Sequence, residues 1–267
     1  MNTAKLLSVA EHAHYPFKSY PHAACRTILF PGCSFSSQFP KTMDALSLLC
    51  REAGIGVAYD CCGSPLAGFG EQKSAKRVLG SLNRRFDQLK CERVVLVCPN
   101  CRDHLAGKLD CELVDVFDLF EELQIQSIGQ FSTGKLFIPC PDKERRATEQ
   151  KLRSRFDLSA VKTFDHAPCC GLHPDLAGKG AEYSARLGRK AIEQAEGNRI
   201  YTYCASCAGQ FSRLGHPNCR HAVSVVLGID EEPDSRHALA NRAKRVFDHK
   251  TDPEPVRGNE RKDAHGA

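Results

Sequence analysis

One pattern of five cysteines occurs twice in the chain. Cys33, the adjacent pair Cys61-Cys62 and the turn Cys98-Pro-Asn-Cys101 make the first copy; Cys140, Cys169-Cys170 and Cys204-Ala-Ser-Cys207 make the second. The intervening lengths are 27, 35 and 2 residues in the first copy and 28, 33 and 2 in the second, and matched cysteines lie 106 to 108 positions apart. In a chain of 267 residues such a period dictates two similar halves, each large enough to bury a core.

Composition narrows the class. Hydrophobic residues are 42% and charged residues 26% of the chain, as in ordinary globular proteins, and no apolar run approaches the roughly 20 residues of a membrane helix. The apolar stretch from Leu6 to Ala10 is too short for a secretory leader, so a cytoplasmic protein is expected, tied to a membrane complex at most through a partner. Thiols stay reduced there, and fifteen cysteines is an odd number, so metal or redox chemistry is favoured over a disulfide framework. A net charge of +5 without aromatic-interleaved basic stripes argues against nucleic acid and suits an acidic redox partner or an anionic substrate. Gly68-Phe69-Gly70 is too short to cradle a nucleotide, which excludes NAD, FAD and ATP motifs.

The hydrophobic pattern alternates short strands with amphipathic helices. Strands are expected at 27–30, 56–59, 93–97 and 113–116, with helices at 41–53, 71–89 and 117–123. The second half repeats the order, with strands at 136–138, 161–164, 200–203 and 222–227 and helices at 143–156, 180–195 and 235–248. The fold class is therefore α/β: two tandem similar domains related as an internal repeat, each a small, mainly parallel sheet flanked by helices. The boundaries run 1–24 for an N-terminal extension without clear period, 25–124 and 135–248 for the two cysteine-rich domains, and 249–267 for a disordered charged tail. Every repeated cysteine falls just beyond a strand's C-terminal end, where open α/β sheets bind ligands.

The spacings carry chemistry. A Cys-x-x-Cys at a strand-to-helix turn places two sulfurs near free helix N–H groups, which favour thiolate. Adjacent cysteines diverge too much for one ion and suit different irons of one cluster. Gly63 and Gly171 follow each pair, and lacking Cβ they permit close approach to a bulky cofactor. Five thiols per half exceed the four that a cubane cluster or a zinc ion needs. His166 and His173 flank the second pair and His104 follows the first Cys-x-x-Cys; each is a candidate proton donor, or else a supporting hydrogen-bond partner. Among the other cysteines, Cys50, Cys25 and Cys91 are expected to pack structurally, and Cys111 and Cys219 recur 108 residues apart.

Phe30-Pro-Gly-Cys33, Cys61-Cys62-Gly-Ser-Pro, Cys98-Pro-Asn-Cys101, Cys169-Cys170-Gly and Cys204-Ala-Ser-Cys207 resemble the cysteine-rich CCG domain. That domain occurs twice in one subunit of heterodisulfide reductase, and also in iron–sulfur subunits of glycolate and lactate oxidation systems. The resemblance implies a non-cubane 4Fe–4S cluster in each half, ligated by the ten repeated cysteines. In the heterodisulfide reductase relatives, a disulfide is split between the two clusters. The implied partners are a small disulfide substrate and a ferredoxin-type or flavoprotein electron donor, because the fused ferredoxin run of many relatives is missing here. The gap from first cysteine to pair is shorter than usual in the family, which leaves the substrate open. Two other readings stand beside this one: an electron-transfer subunit of a 2-hydroxy-acid or quinone-linked oxidoreductase, and a zinc-stabilised interaction module, with zinc in one half as a mixed case.

Overall fold

The computed structural model describes residues 3–164, 169–173, 176, 179–247 and 251–254. Alternation of buried residues sets the first sheet. Strand β1 (Thr27–Phe30) lies between β2 (Gly56–Val57) and β3 (Arg93–Leu96), with β4 (Glu112–Asp115) outermost, giving the order β2-β1-β3-β4. All pairings are parallel, with Ile28 opposite Val94 and Val95 opposite Val114. Ile28, Phe30, Val94 and Leu96 point to one face and Leu29 and Val95 to the other, the period of two that a doubly covered strand requires.

The second sheet repeats this topology. Strands β5 (Gly134–Phe137), β6 (Val161–Thr163), β7 (Ile200–Thr202) and β8 (Cys219–His221) are all parallel, in the order β6-β5-β7-β8. In both sheets the chain leaves the first strand in one direction and the third in the other, so a crevice opens between their C-terminal ends.

Helices follow from apolar stripes and clear stops. In α5 (Gln72–Gln88) Ala75, Val78, Leu82 and Phe86 are buried on one face. In α3 (Pro40–Glu52) Met43, Leu46 and Cys50 are buried and Pro40 starts the helix. The remaining helices are α1 (Thr3–His14), α2 (Cys33–Gln38), α4 (Ser64–Gly68), α6 (Pro99–Leu105), α7 (Val116–Glu122), α8 (Ala147–Arg155), α9 (Ala181–Gln194), α10 (Ala205–Arg213), α11 (Ala222–Val226) and α12 (Ala238–Phe247).

Three expectations need correction. Residues 222–227 are not the last strand: they form α11, and the strand lies just before them. A short apolar run does not separate strand from buried helix, but the repeat does, since His221 stands where Asp115 stands in the first half. Both residues cap a helix, with the Phe117 N–H donating to Asp115 and the Val223 N–H to His221 Nδ1. The extension 1–24 holds a helix, α1, and a bridge from Ser19 to Tyr59. Of the supposed disordered tail, residues 251–254 are held in place. The Val57 N–H donates to the Thr251 carbonyl, Asp252 pairs with His22, and Glu254 pairs with Arg51. These tertiary partners offset the low hydrophobicity of the segment, which by itself reads as disorder.

The halves share one core. Leu29, Phe35, Met43 and Val95 join Leu136, Phe137, Tyr203 and Val226 in a single buried cluster, while the outer face of the first sheet forms a second. Helix α12, placed by sequence in the second domain, packs against α2 of the first.

Candidate metal centres

The ten repeated cysteines gather at the C-terminal ends of the two sheets. Cys33 opens α2, Cys98 precedes α6, and the pair Cys61-Cys62 sits between β2 and α4. In the second half Cys140 starts a short 3-10 turn (Cys140–Asp142) and Cys204 precedes α10. Thiols touch in the same order in both halves. Cys33 contacts Cys61, Cys61 its neighbour Cys62, Cys62 reaches Cys101, and Cys101 contacts Cys98. Likewise Cys140 contacts Cys169, Cys169 its neighbour Cys170, Cys170 reaches Cys207 at 3.2 Å, and Cys207 contacts Cys204. None of the described cysteines is in a disulfide.

Crowded thiols do not titrate alike. In the first chain of sulfurs, the Cys101 thiol beside Cys62, with help from Cys61, pulls Cys62 down to about 6, while Cys33 rises through its contact with Cys61 and through burial. In the second, the Cys140 and Cys170 thiols lower Cys169 strongly, and the backbone N–H groups of Gly171 and His173 add to the shift. Cys204 is lowered first by the Cys207 thiol and also by the N–H groups of Cys207 and Ser206, as the strand-to-helix turn predicts. Each half thus contains thiols whose neighbours favour the anion, the form that binds metal. Five clustered sulfurs, in contact with one another and free of disulfides, fit a sulfur-ligated iron cluster and exceed the needs of one zinc ion.

Several residues orient these sulfurs. The Gly63 N–H donates to Cys61 Sγ at 3.4 Å and the Gly171 N–H to Cys169 Sγ at 3.3 Å. A Cβ on Gly63 would meet Val78 of α5, and one on Gly171 would lie 2.1 Å from the Ser184 carbonyl of α9. Both glycines have positive φ, so their lack of Cβ answers a backbone turn and a helix approach. The buried Asp60 accepts the Cys61 N–H at 2.7 Å and the Tyr20 hydroxyl at 2.6 Å, which fixes the pair's entry. Tyr203 donates to Asp142 at 2.6 Å, tying the Cys140 turn to the Cys204 turn.

The elements that carry the two sulfur chains pack on one another across the interface between halves. Helix α2, after Cys33, packs on α10, after Cys204, and α6, after Cys98, packs on the turn of Cys140. These are the same pairing twice, since Cys33 matches Cys140 and Cys98 matches Cys204. Ser206 Oγ donates to Ser34 Oγ at 2.8 Å, and Asn100 Nδ2 of the first half donates to Cys204 Sγ of the second at 3.5 Å.

Of the predicted histidines, His166 lies outside the described residues. His173 contributes its backbone N–H to Cys169. His104 sits in the last turn of α6, where its carbonyl accepts from Lys108. Cys50 is core, its thiol raised to about 12 by burial. Cys25 and Cys219 are buried as well, and Cys91 and Cys111 contact one another at the opposite end of the first sheet from the sulfur chain. Sequence reasoning missed His12, whose Nδ1 lies 3.2 Å from Cys61 Sγ, and Asn100. Asn100 was visible inside the Cys-x-x-Cys turn; His12, 49 residues from its partner, gave no local signal.

The family model for the cysteine-rich domain, CCG, matches the chain twice, over residues 27–106 and 135–212. Among solved structures, a chain from Yersinia pestis assigned as an Asp/Glu racemase is 15% identical at a TM-score of 0.35, covering 82% of this chain and 98% of that one. The aspartate racemase of Picrophilus torridus is 9% identical at a TM-score of 0.33, covering 81% and 99%. Similarity this low bears on neither the fold nor the chemistry. No curated protein sequence matches the chain.

Proposed function

The chain belongs to the cysteine-rich CCG domain family through both of its halves, and from that premise we propose that it is an iron–sulfur oxidoreductase subunit with one 4Fe–4S cluster in each half. The proposed reaction is RSSR′ + 2e⁻ + 2H⁺ → RSH + R′SH, with the electrons delivered by a ferredoxin-type or flavoprotein partner. When bound, the clusters supply one-electron redox chemistry at sulfur-ligated iron. The observation that carries the reading is the identical order of thiol contacts in both halves, together with the crossed packing that brings the two sulfur chains to a common interface.

The protein's own groups hold this arrangement. Gly63 and Gly171 aim N–H groups at the first sulfur of each pair, and Asn100 steadies Cys204 from the other half. Hydrogen bonds to ligand sulfur delocalise its charge and tune the metal. No described helix is long and apolar enough to cross a membrane.

Anaerobic reconstitution followed by iron and sulfide analysis tests the assignment. About eight irons per chain are expected for two 4Fe–4S clusters, with EPR signals that change when a small disulfide is added. Fewer than about four irons sinks it, and zinc without iron favours a structural metal module. Two clusters without disulfide turnover, in a protein that still passes electrons to an acceptor, favour the electron-transfer role instead.

A further inference from the structure

Helix α1 precedes the repeat and has no counterpart in the second half, yet it brings a nitrogen donor to the first sulfur chain. His12 Nδ1 is 3.2 Å from Cys61 Sγ, and Nδ1 and the sulfurs of Cys33 and Cys61 all lie within 4.8 Å of one another. A tetrahedral ion with sulfur at ~2.3 Å and imidazole nitrogen at ~2.1 Å separates the two donors by roughly 3.5 Å. The trio therefore has the spacing of ligands to one ion.

The ring is held there from both sides. Val9 and Ala13 pack on the outer core of the first half, and α1 rests on α4, the helix that begins immediately after Cys61-Cys62-Gly63. Glu11, beside His12, pairs with Arg242 of α12, and Arg242 also lies over the Phe17 ring at 5.2 Å. The position one repeat further along the chain falls in α7, still in the first half, where there is no histidine.

We propose that His12 is a ligand of the first metal centre, so that this centre has a mixed nitrogen and sulfur edge (His12, Cys33, Cys61) that no described residue of the second half reproduces. The proposal rests on the cluster reading above. Imidazole adds no negative charge, and the identity and hydrogen bonding of the ligands tune the potential of an iron–sulfur centre. The first centre then carries a nitrogen ligand beside its thiolates, and the pair is inequivalent despite the repeat.

Pulsed EPR on the full-length reconstituted protein tests this, with one sample carrying ¹⁵N-histidine and one at natural abundance. The expected result is a directly coordinated nitrogen coupling that changes isotope pattern on labelling. It disappears in both His12→Ala and His12→Gln and persists in His104→Ala and His173→Ala. Potentiometric titration of His12→Gln is expected to shift one midpoint and leave the other unmoved. The labelled wild-type sample needs no variant to fold. A coupling that survives His12→Ala, or one as weak as a hydrogen-bonded nitrogen gives, overturns the proposal while the clusters stand. Protein that takes up no iron or sulfide overturns the cluster reading, and His12 ligation with it.

Discussion

Glu231 offers a direct measure of how firmly the halves are joined. Its buried carboxylate, from the segment after α11, accepts the Lys41 and Thr42 N–H groups at 2.8 Å each and the Thr42 hydroxyl at 2.6 Å. Phe39, the residue before α3, gives no side-chain cap, so Glu231 caps a first-half helix from the second half. Glu231→Ala leaves the two backbone donors without a partner, while the Thr42 hydroxyl keeps Ser224 Oγ at 2.8 Å. An orphaned donor costs about 1–3 kcal/mol, and entry of water keeps each near the low end, so the total is about 2 kcal/mol. That is roughly thirtyfold in the unfolding equilibrium, or a fall of roughly 4–8 °C in Tm for a chain of this size. Glu231→Gln keeps one acceptor and is expected to lose about half as much. Urea titration followed by far-UV circular dichroism reads both variants. A loss below about 0.5 kcal/mol for Glu231→Ala, the scale of an ordinary surface change, refutes the reasoning, as does a Gln variant no more stable than Ala.

Gly171→Ala should be much more damaging than Gly63→Ala, because its Cβ would sit 2.1 Å from backbone whereas that of Gly63 meets Val78 at 3.2 Å. Iron content of the second centre, read by EPR, is expected to fall selectively, and equal losses in both variants would count against the geometry. His221 is buried between Phe35 and Phe39, and burial lowers its pKa to about 3. Between pH 6.5 and about 3 the unfolded state binds more protons than the folded one, so stability falls as pH falls. The cost from pH 7 to 5.5 is about 1.3 kcal/mol from this group; His221→Asn, which retains an acceptor for the Val223 N–H, should show a shallower pH dependence in denaturant titrations. Cys111 is held below the usual thiol range by the neighbouring Cys91 thiol, and both are half-buried. In cluster-loaded protein, alkylation followed by peptide mass spectrometry should modify Cys111 first, well ahead of Cys50 and Cys219; faster labelling of either buried thiol contradicts this.

Much of the architecture could be read from spacing. The doubled cysteine pattern required two similar α/β halves, and the apolar runs located β1, β3 and the helices α3 and α5 within a residue or so. These features are local: a period of two or 3.6 in a few consecutive residues already states which face is buried. The segment 222–227 misled because Ala-Val-Ser-Val-Val is buried on all sides and so has no period. Residues 251–254 misled because their partners, Val57, His22 and Arg51, lie some 200 residues away.

The centres divide in the same way. The sequence by itself determined which ten thiols recur and at which strand ends, since ligand spacing along one chain is a covalent property. Only the tertiary structure decided that Asn100 reaches Cys204, that Glu231 caps α3, and that His12 stands against Cys61 with no equivalent among the described residues of the second half. Those contacts exist because separate helices dock through a shared apolar core, and docking of that kind leaves no periodic trace in the segments it joins.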